Sequence, residues 1–231
     1  MRRFLSYMYE LAAILPHDLT MKEQNEHIWY ASYGSNILEE RFHCYIQGGN
    51  PKGSSTSYHG CKDKTLPIDN KDFYISSELY FAKKSVNSWN SGGVGFISNE
   101  FGNESTLSRI YLITKQQFVD VLKQECNIDQ EMEIDFDSII SNGSIVLKET
   151  KWYNKIIYLG NQSEKPIFTF THHGDYFDEI NKPDENYLKI IMEGIKEITN
   201  FNEYDLANYF ANLKGIIGEY STEDLIKIAN K

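Results

Sequence analysis

The chain has 231 residues, of which 41% are hydrophobic and 14% aromatic, enough for one sizeable core or one core with a small appendage. Its net charge of −10 disfavours nucleic acid as the main partner, because phosphate binding needs a basic face and no Lys/Arg cluster supplies one. Three cysteines, Cys44, Cys61 and Cys126, cannot all pair within one chain, and such low, odd usage suggests reduced thiols in a cytoplasmic protein.

No apolar run approaches the ~18 residues that suggest a membrane span. Arg2 and Arg3 ahead of Phe4 and Leu5 invite a signal-peptide reading, but Glu10 interrupts the run and no small-residue cleavage pattern follows. Phe4, Met8, Leu11 and Leu15 instead predict an amphipathic helix ended by Pro16. It is either a packed N-terminal arm over residues 1–27 or the product of an early start codon, since Met21-Lys22-Glu23 would open a compact version just before the first strand.

The segment Trp29–Leu38 reads as a strand end, a sharp glycine turn and a helix start. Aromatic and small residues run up to Gly34, and Ile37, Leu38, Phe42, Tyr45 and Ile46 then repeat at helical spacing, predicting a strand over 28–34 and a helix over 36–47. Asn36, with Glu39 three residues on, has the pattern of an N-cap with a capping-box partner. Such a junction leaves backbone N–H groups unpaired and aimed at one point, where a carboxylate, a phosphate or a developing oxyanion can bind.

Residues 48–70 are rich in Gly, Ser, Lys and Asp and read as a long loop. Strands are expected at 74–82, 93–98 and 107–113 from their β-branched and aromatic content. Thr114 then caps a helix, with Gln117 as its capping-box partner. Phe118, Val121 and Leu122 share one face of that helix, and Glu125 lies at i+7 on the same face. A carboxylate there either reaches water at the helix end or points into a pocket. If it points inward, desolvation raises its pKa, and a carboxyl tuned toward neutrality can both take and give a proton. Glu78 is the backup acid, though an outward strand carboxylate is its plainer reading.

Residues 128–143 are acidic and read as irregular, with further strands at 144–148, 153–159 and 167–171. After Gly174 the pattern becomes helical. Leu188, Ile191, Met192, Ile195 and Ile198 trace one stripe starting near Pro183-Asp184; Leu206, Tyr209, Phe210 and Leu213 trace a second; Ser221 starts a third with Leu225, Ile226 and Ile228. The order is mixed α+β and then a helical tail, which is either a small subdomain or a cover on the sheet.

Two other constellations carry little chemistry. His172-His173 with Asp175 and Asp178 invites a metal reading, but adjacent histidines at a strand end point opposite ways. His43, Cys44, His59 and Cys61 match no common zinc spacing. No Gly-x-Ser-x-Gly elbow, phosphate-binding Walker loop or dinucleotide fingerprint is present.

Tyr33-Gly34-Ser35-Asn36-Ile37 resembles the Tyr-Gly-Ser-Asn-Leu signature of the gamma-glutamylcyclotransferase-like proteins. Two further segments fit in order: Trp89-Asn90-Ser91-Gly92-Gly93-Val94-Gly95-Phe96-Ile97, similar to the family's Gly-Gly-x-Ala-x-Ile strand, and Arg109–Thr114 followed by a helix ending in Leu122-Lys123-Gln124-Glu125. The resemblance covers roughly residues 28–171 and departs from the family at Cys126-Asn127, where Gly often follows the glutamate directly.

The resemblance implies an α+β fold with a mixed, mainly antiparallel, β-barrel-like sheet and flanking helices. It divides the chain into an arm over 1–27, a catalytic domain over 28–174 and a helical extension over 175–231. It also implies a cyclising cleavage of a γ-glutamyl amide, in which the substrate's α-amine attacks its own γ-carbonyl to give 5-oxoproline and a free amine or amino acid. Glu125 takes the family's general acid/base position, Tyr33, Gly34, Ser35 and Asn36 its binding motif, and Tyr153 resembles a family tyrosine that follows the glutamate. No nucleophile, metal or cofactor is needed, and the expected partner is a small-molecule γ-glutamyl substrate rather than nucleic acid or membrane. The rival expectation is a non-catalytic ligand-binding or protein-interaction module on the same fold. Oligomeric state and leaving group have no signature in the sequence.

Overall fold

The computed structural model describes residues 27–51, 57–85, 89–148, 150 and 152–231. The expected N-terminal helix, with its Phe4–Leu15 stripe, lies outside them. Strand β1 (His27–Ser32) is buried along nearly its whole length because it has a neighbour on each side. It pairs antiparallel with β3 (Val94–Thr114), setting Tyr30 opposite Tyr111, and parallel with β6 (Lys165–Thr171). With β2 (Asn70–Ala82), β4 (Ser144–Val146) and β5 (Lys155–Gln162), these form one six-stranded sheet in the order β2-β3-β1-β6-β5-β4. The α+β class and the mixed, mainly antiparallel sheet match the expectation, and the sheet order has two ends, β2 and β4.

Alternation along β1 divides the interior in two. Trp29, Ala31 and Tyr33 join a cluster on one face, and Ile28 and Tyr30 join a cluster on the other. Helices α1 (Glu39–Gln47), α2 (Lys115–Cys126) and α3 (Phe136–Asn142) cover the second face through Phe42, Phe118, Leu122, Phe136 and Ile139. Helices α4 (Glu185–Ile198), α5 (Glu203–Ala211) and α6 (Thr222–Ala229) cover the first through Leu188, Ile191, Phe210 and Leu225. The helical tail is therefore a cover on the sheet: its stripes share one cluster with Trp29, Phe81 and Leu107. No described helix is long and apolar enough to cross a membrane.

Several expected elements are corrected. The strands at 93–98 and 107–113 are one strand of 21 residues, whose exposed middle, Glu100–Ser105, lacks the alternation that marks a half-buried strand. Residues 128–143 contain α3, started by Asp135 accepting from the Ser138 N–H at 3.0 Å and ended at Gly143 with φ 78°. Helix α5 ends at Ala211, short of Leu213. The capping box of α2 forms as read: Thr114 Oγ1 accepts from Gln117 N at 3.1 Å, and Gln117 Oε1 from Thr114 N at 3.0 Å.

Asn36 is not an N-cap. A 3-10 turn, Ser35–Ile37, follows Gly34, and α1 begins at Glu39 with Leu38 before it and no side-chain cap. The Asn36 Nδ2 donates to Glu125, and Glu39 accepts from Asn70 Nδ2 at 3.0 Å instead of closing a capping box.

Candidate active site

At the carboxyl end of β1 the chain leaves the sheet through Tyr33 and Gly34 and enters the 3-10 turn. The buried Tyr111 hydroxyl of β3 pins that turn, donating to the Asn36 carbonyl at 2.9 Å and to the Ile37 carbonyl at 3.3 Å. The turn is thereby fixed against the last turn of α2, whose buried face carries Phe118, Val121 and Leu122 and ends in Glu125. Asn127 closes α2 with φ 53°, a left-handed conformation that asparagine tolerates.

Tyr33, Gly34, Ser35, Asn36, Glu125 and Tyr153 all line one cavity of about 490 Å³. Asn36 Nδ2 donates to Glu125 Oε1 at 2.7 Å. Glu125 is half-buried as a residue, and burial of its carboxylate raises its pKa. The Tyr45 hydroxyl, the positive charge of Arg41 and the Asn36 amide pull the other way without reversing the shift. Such a carboxyl is held nearer neutrality than an exposed glutamate, as proton exchange in both directions requires.

The two predicted tyrosines contribute their rings more than their hydroxyls. Tyr33 donates to the Phe170 carbonyl at 2.8 Å, and Tyr153 to the Gly95 carbonyl at 3.2 Å. Tyr153 also packs on Phe96 and Phe170, with ring centroids 5.2 and 5.4 Å away. Cys126, beside Glu125, has its thiol pushed up to about 12 by burial, so it is protonated and not a nucleophile. Glu78 is not in the cavity; it pairs with Lys214. Asp175 accepts from the Asn99 backbone and side chain at 3.1 and 3.0 Å, a loop-holding role.

Residues that the sequence did not single out complete the walls. Tyr45 follows Arg41 by one turn of α1; Tyr58 and Trp89 come from loops; Tyr187 comes from α4 in the tail. The Tyr187 oxygen accepts from the Gly95 N–H at 3.1 Å and also lies near the Ser35 N–H. A Cβ on Gly34 would stand 3.2 Å from that oxygen, so the glycine admits the close approach. Arg41 was hidden because a charged residue beside Glu39 and Glu40 looks solvated. Tyr187 was hidden because it sits beside an apolar stripe and reads as core.

No family model matches the chain. Among curated proteins it is 36% identical over 154 residues to histone deacetylase 5 of Arabidopsis thaliana, an alignment taking in 62% of this chain and 23% of that protein. The chain thus spans about a quarter of the length of that curated relative. Solved structures similar to it over most of its length include gamma-glutamyl cyclotransferases. One, described by that name, is 21% identical, with 87% of this chain and 99% of that chain covered at a TM-score of 0.46. Another, a glutathione-specific enzyme from yeast, is 13% identical, with 89% and 96% covered at a TM-score of 0.36.

Proposed function

We propose that this chain cleaves a γ-glutamyl amide by cyclisation. The observation that carries the reading is the placement of Glu125, a carboxyl of raised pKa, across a cavity from the Tyr33–Asn36 turn and hydrogen-bonded to Asn36. The reaction needs a folded substrate more than a reactive side chain, since well-oriented intramolecular attack can supply ~7–11 kcal/mol of the barrier. Glu125 takes a proton from the substrate's α-ammonium. The freed amine attacks the γ-carbonyl carbon and forms the lactam C–N bond. As the tetrahedral intermediate collapses, Glu125 gives its proton to the leaving nitrogen, the amide C–N bond breaks, and Glu125 takes the remaining extra proton from the new ring nitrogen; 5-oxoproline departs as the neutral lactam and the amine leaves with that second proton as an ammonium.

The developing oxyanion needs a donor fixed in advance. The Tyr187 oxygen already faces the Gly95 and Ser35 N–H groups, which favours turning its own proton toward the cavity. Its pKa, pushed up to about 12 by burial, keeps that proton in place at neutral pH. Asn36 orients Glu125.

The test is 5-oxoproline release from a panel of γ-glutamyl amino acids, peptides and amines, by the parent and by Glu125→Gln. Release that disappears in the variant, with folding intact, supports the reading and names the leaving group. Release that survives in Glu125→Gln removes Glu125 from the mechanism. A second reading is a non-catalytic binding module on the same fold, with the cavity kept and the chemistry lost. It is favoured if no panel member yields 5-oxoproline while the cavity still binds γ-glutamyl compounds.

A further inference from the structure

Arg41 is 5% exposed, and its Nη2 donates to the Tyr58 hydroxyl at 2.5 Å. Its guanidinium carbon lies 5.0 Å from the Trp89 ring centre, 5.5 Å from that of Tyr58 and 6.0 Å from that of Tyr45. Among the described residues, no carboxylate lies within ion-pair distance of Arg41, and its Nε and Nη1 have no hydrogen-bond partner. The other deeply buried arginine among the described residues, Arg109, 1% exposed, likewise has no hydrogen-bond partner at Nε and Nη1, but it faces two carboxylates, Glu197 at 2.8 Å and Glu39 at 3.6 Å; what sets Arg41 apart is that it has none.

A buried guanidinium with two unused donors is costly unless something supplies an anion. The aromatic cage offsets part of that cost, and the field of Glu125 another part, but neither accepts the two N–H bonds. Arg41 lines the cavity that Glu125 lines, and among the described residues they are its only cationic and its only carboxylate lining side chains. One fixed positive and one fixed negative group across a single cavity complement a zwitterion, and the planar fork of arginine suits a carboxylate.

From this we infer that Arg41 is the carboxylate-recognition residue of the cavity, gripping a carboxylate of the substrate while Glu125 faces its ammonium. The assignment rests on the γ-glutamyl reading for the identity of the ligand. A γ-glutamyl amino acid has two such carboxylates, the α-carboxylate of the head and that of the leaving group. Nε and Nη1 are shielded from bulk water, so entry of either requires a half-buried ring of the cage, Trp89 or Tyr58, to shift.

Calorimetric binding of 5-oxoproline and of 2-pyrrolidinone, the same lactam without the carboxylate, tests this on the parent, Arg41→Met and Arg41→Lys. The parent is expected to bind 5-oxoproline about 30-fold or more tighter than 2-pyrrolidinone, as for a buried charge pair. Arg41→Met loses that preference, and Arg41→Lys keeps only part of it. Binding of neither lactam, or a preference unchanged in the variants, overturns the inference, and so does equal binding of the two lactams by the parent when γ-glutamyl-alanine and γ-glutamyl-ethylamine also show no difference in their Arg41 dependence; if Arg41→Met does not fold, Arg41→Lys decides.

Turnover of γ-glutamyl-ethylamine and 4-aminobutyryl-alanine, each missing one carboxylate, identifies the source. The substrate missing the gripped carboxylate has a raised KM in the parent and no further rise in Arg41→Met. Binding and release fail separately. If 5-oxoproline binds in an Arg41-dependent way but no γ-glutamyl amide is cleaved, the recognition role stands and the cyclisation reading falls. Release with no Arg41 dependence has the opposite meaning.

Discussion

At the scale of single residues, the Glu125 carboxyl ties chemistry to stability. Its raised pKa means that the folded protein holds a proton which the unfolded chain releases near the ordinary glutamate value of ~4.3. In the window between that value and the raised one, the folded state binds more protons, so stability falls as pH rises through it. Glu125→Gln has no such titration and keeps an oxygen for the Asn36 amide. Its melting temperature should therefore gain on the parent's as pH rises from about 4 toward 7. A parent whose stability relative to the variant grows with pH would show that the carboxylate is stabilised, not strained, by its surroundings. In the proposed reaction the same ionisation governs rate: activity should fall as pH drops through a midpoint above the ordinary glutamate range, and Glu125→Gln should lose about 10²–10⁴-fold in kcat. Glu125 was legible because three buried neighbours at helical spacing fix the face on which it lies. Arg41 was not, because its burial comes from Tyr58 and Trp89, loop residues with no periodic relation to it.

At the scale of elements, short local codes read correctly wherever no distant partner competes. The Thr114–Gln117 box forms as read, and the helix starts expected near Pro183-Asp184 and at Ser221 prove to be capped by Asp184 and by a Ser221–Asp224 box. The Asn36–Glu39 pattern does not form, because the Asn36 side chain is held by the Glu125 carboxylate, to which its Nδ2 donates, and α1 begins only at Glu39. Helix α4 shows a further kind of information. Its Gly194 packs directly on the 3-10 turn, where a Cβ would stand 2.5 Å from Leu38 N and 2.6 Å from the Ile37 carbonyl carbon. Backbone atoms cannot yield as a flexible side-chain end does. Gly194→Ala should therefore cost about 1–3 kcal/mol despite the better helix propensity of alanine. It should also move Tyr187, two turns earlier on the same helix, away from the Gly95 N–H. Thermal denaturation and kcat/KM check both halves. A variant as stable and as active as the parent would mean that α4 merely leans on the turn. Tyr187→Phe separates the two effects: it removes the hydroxyl without moving the helix, and under the proposed mechanism it lowers kcat more than it raises KM.

For the whole molecule, the question is whether the helical extension over 175–231 is an appendage or part of the fold. The connection before α4 and the one after α5 lie along the outer side of β2. The Phe81 N–H donates to the Lys214 carbonyl at 2.9 Å, the Asn181 N–H to the Phe81 carbonyl at 3.1 Å, and the Gly93 N–H to the Lys182 carbonyl at 2.9 Å. These bonds occupy backbone groups that an uncovered edge strand would offer to other chains. The apolar stripes of α4, α5 and α6 meanwhile sit on Trp29, Phe81, Leu107 and Leu112, residues whose faces would otherwise meet water. A chain ending at residue 174 should accordingly lose its cooperative melting transition and associate, and it should release no 5-oxoproline, since Tyr187 goes with the helices. Adding residues 175–231 back as a separate peptide should restore solubility if the cover is held by burial alone. A truncated chain that stays monomeric and melts cooperatively would make the extension a separable unit, and the sheet would then have to be stable with one face bare. Catalysis by such a chain would further mean that the cavity needs nothing from α4, leaving the oxyanion to the backbone N–H groups of the Gly34–Asn36 turn.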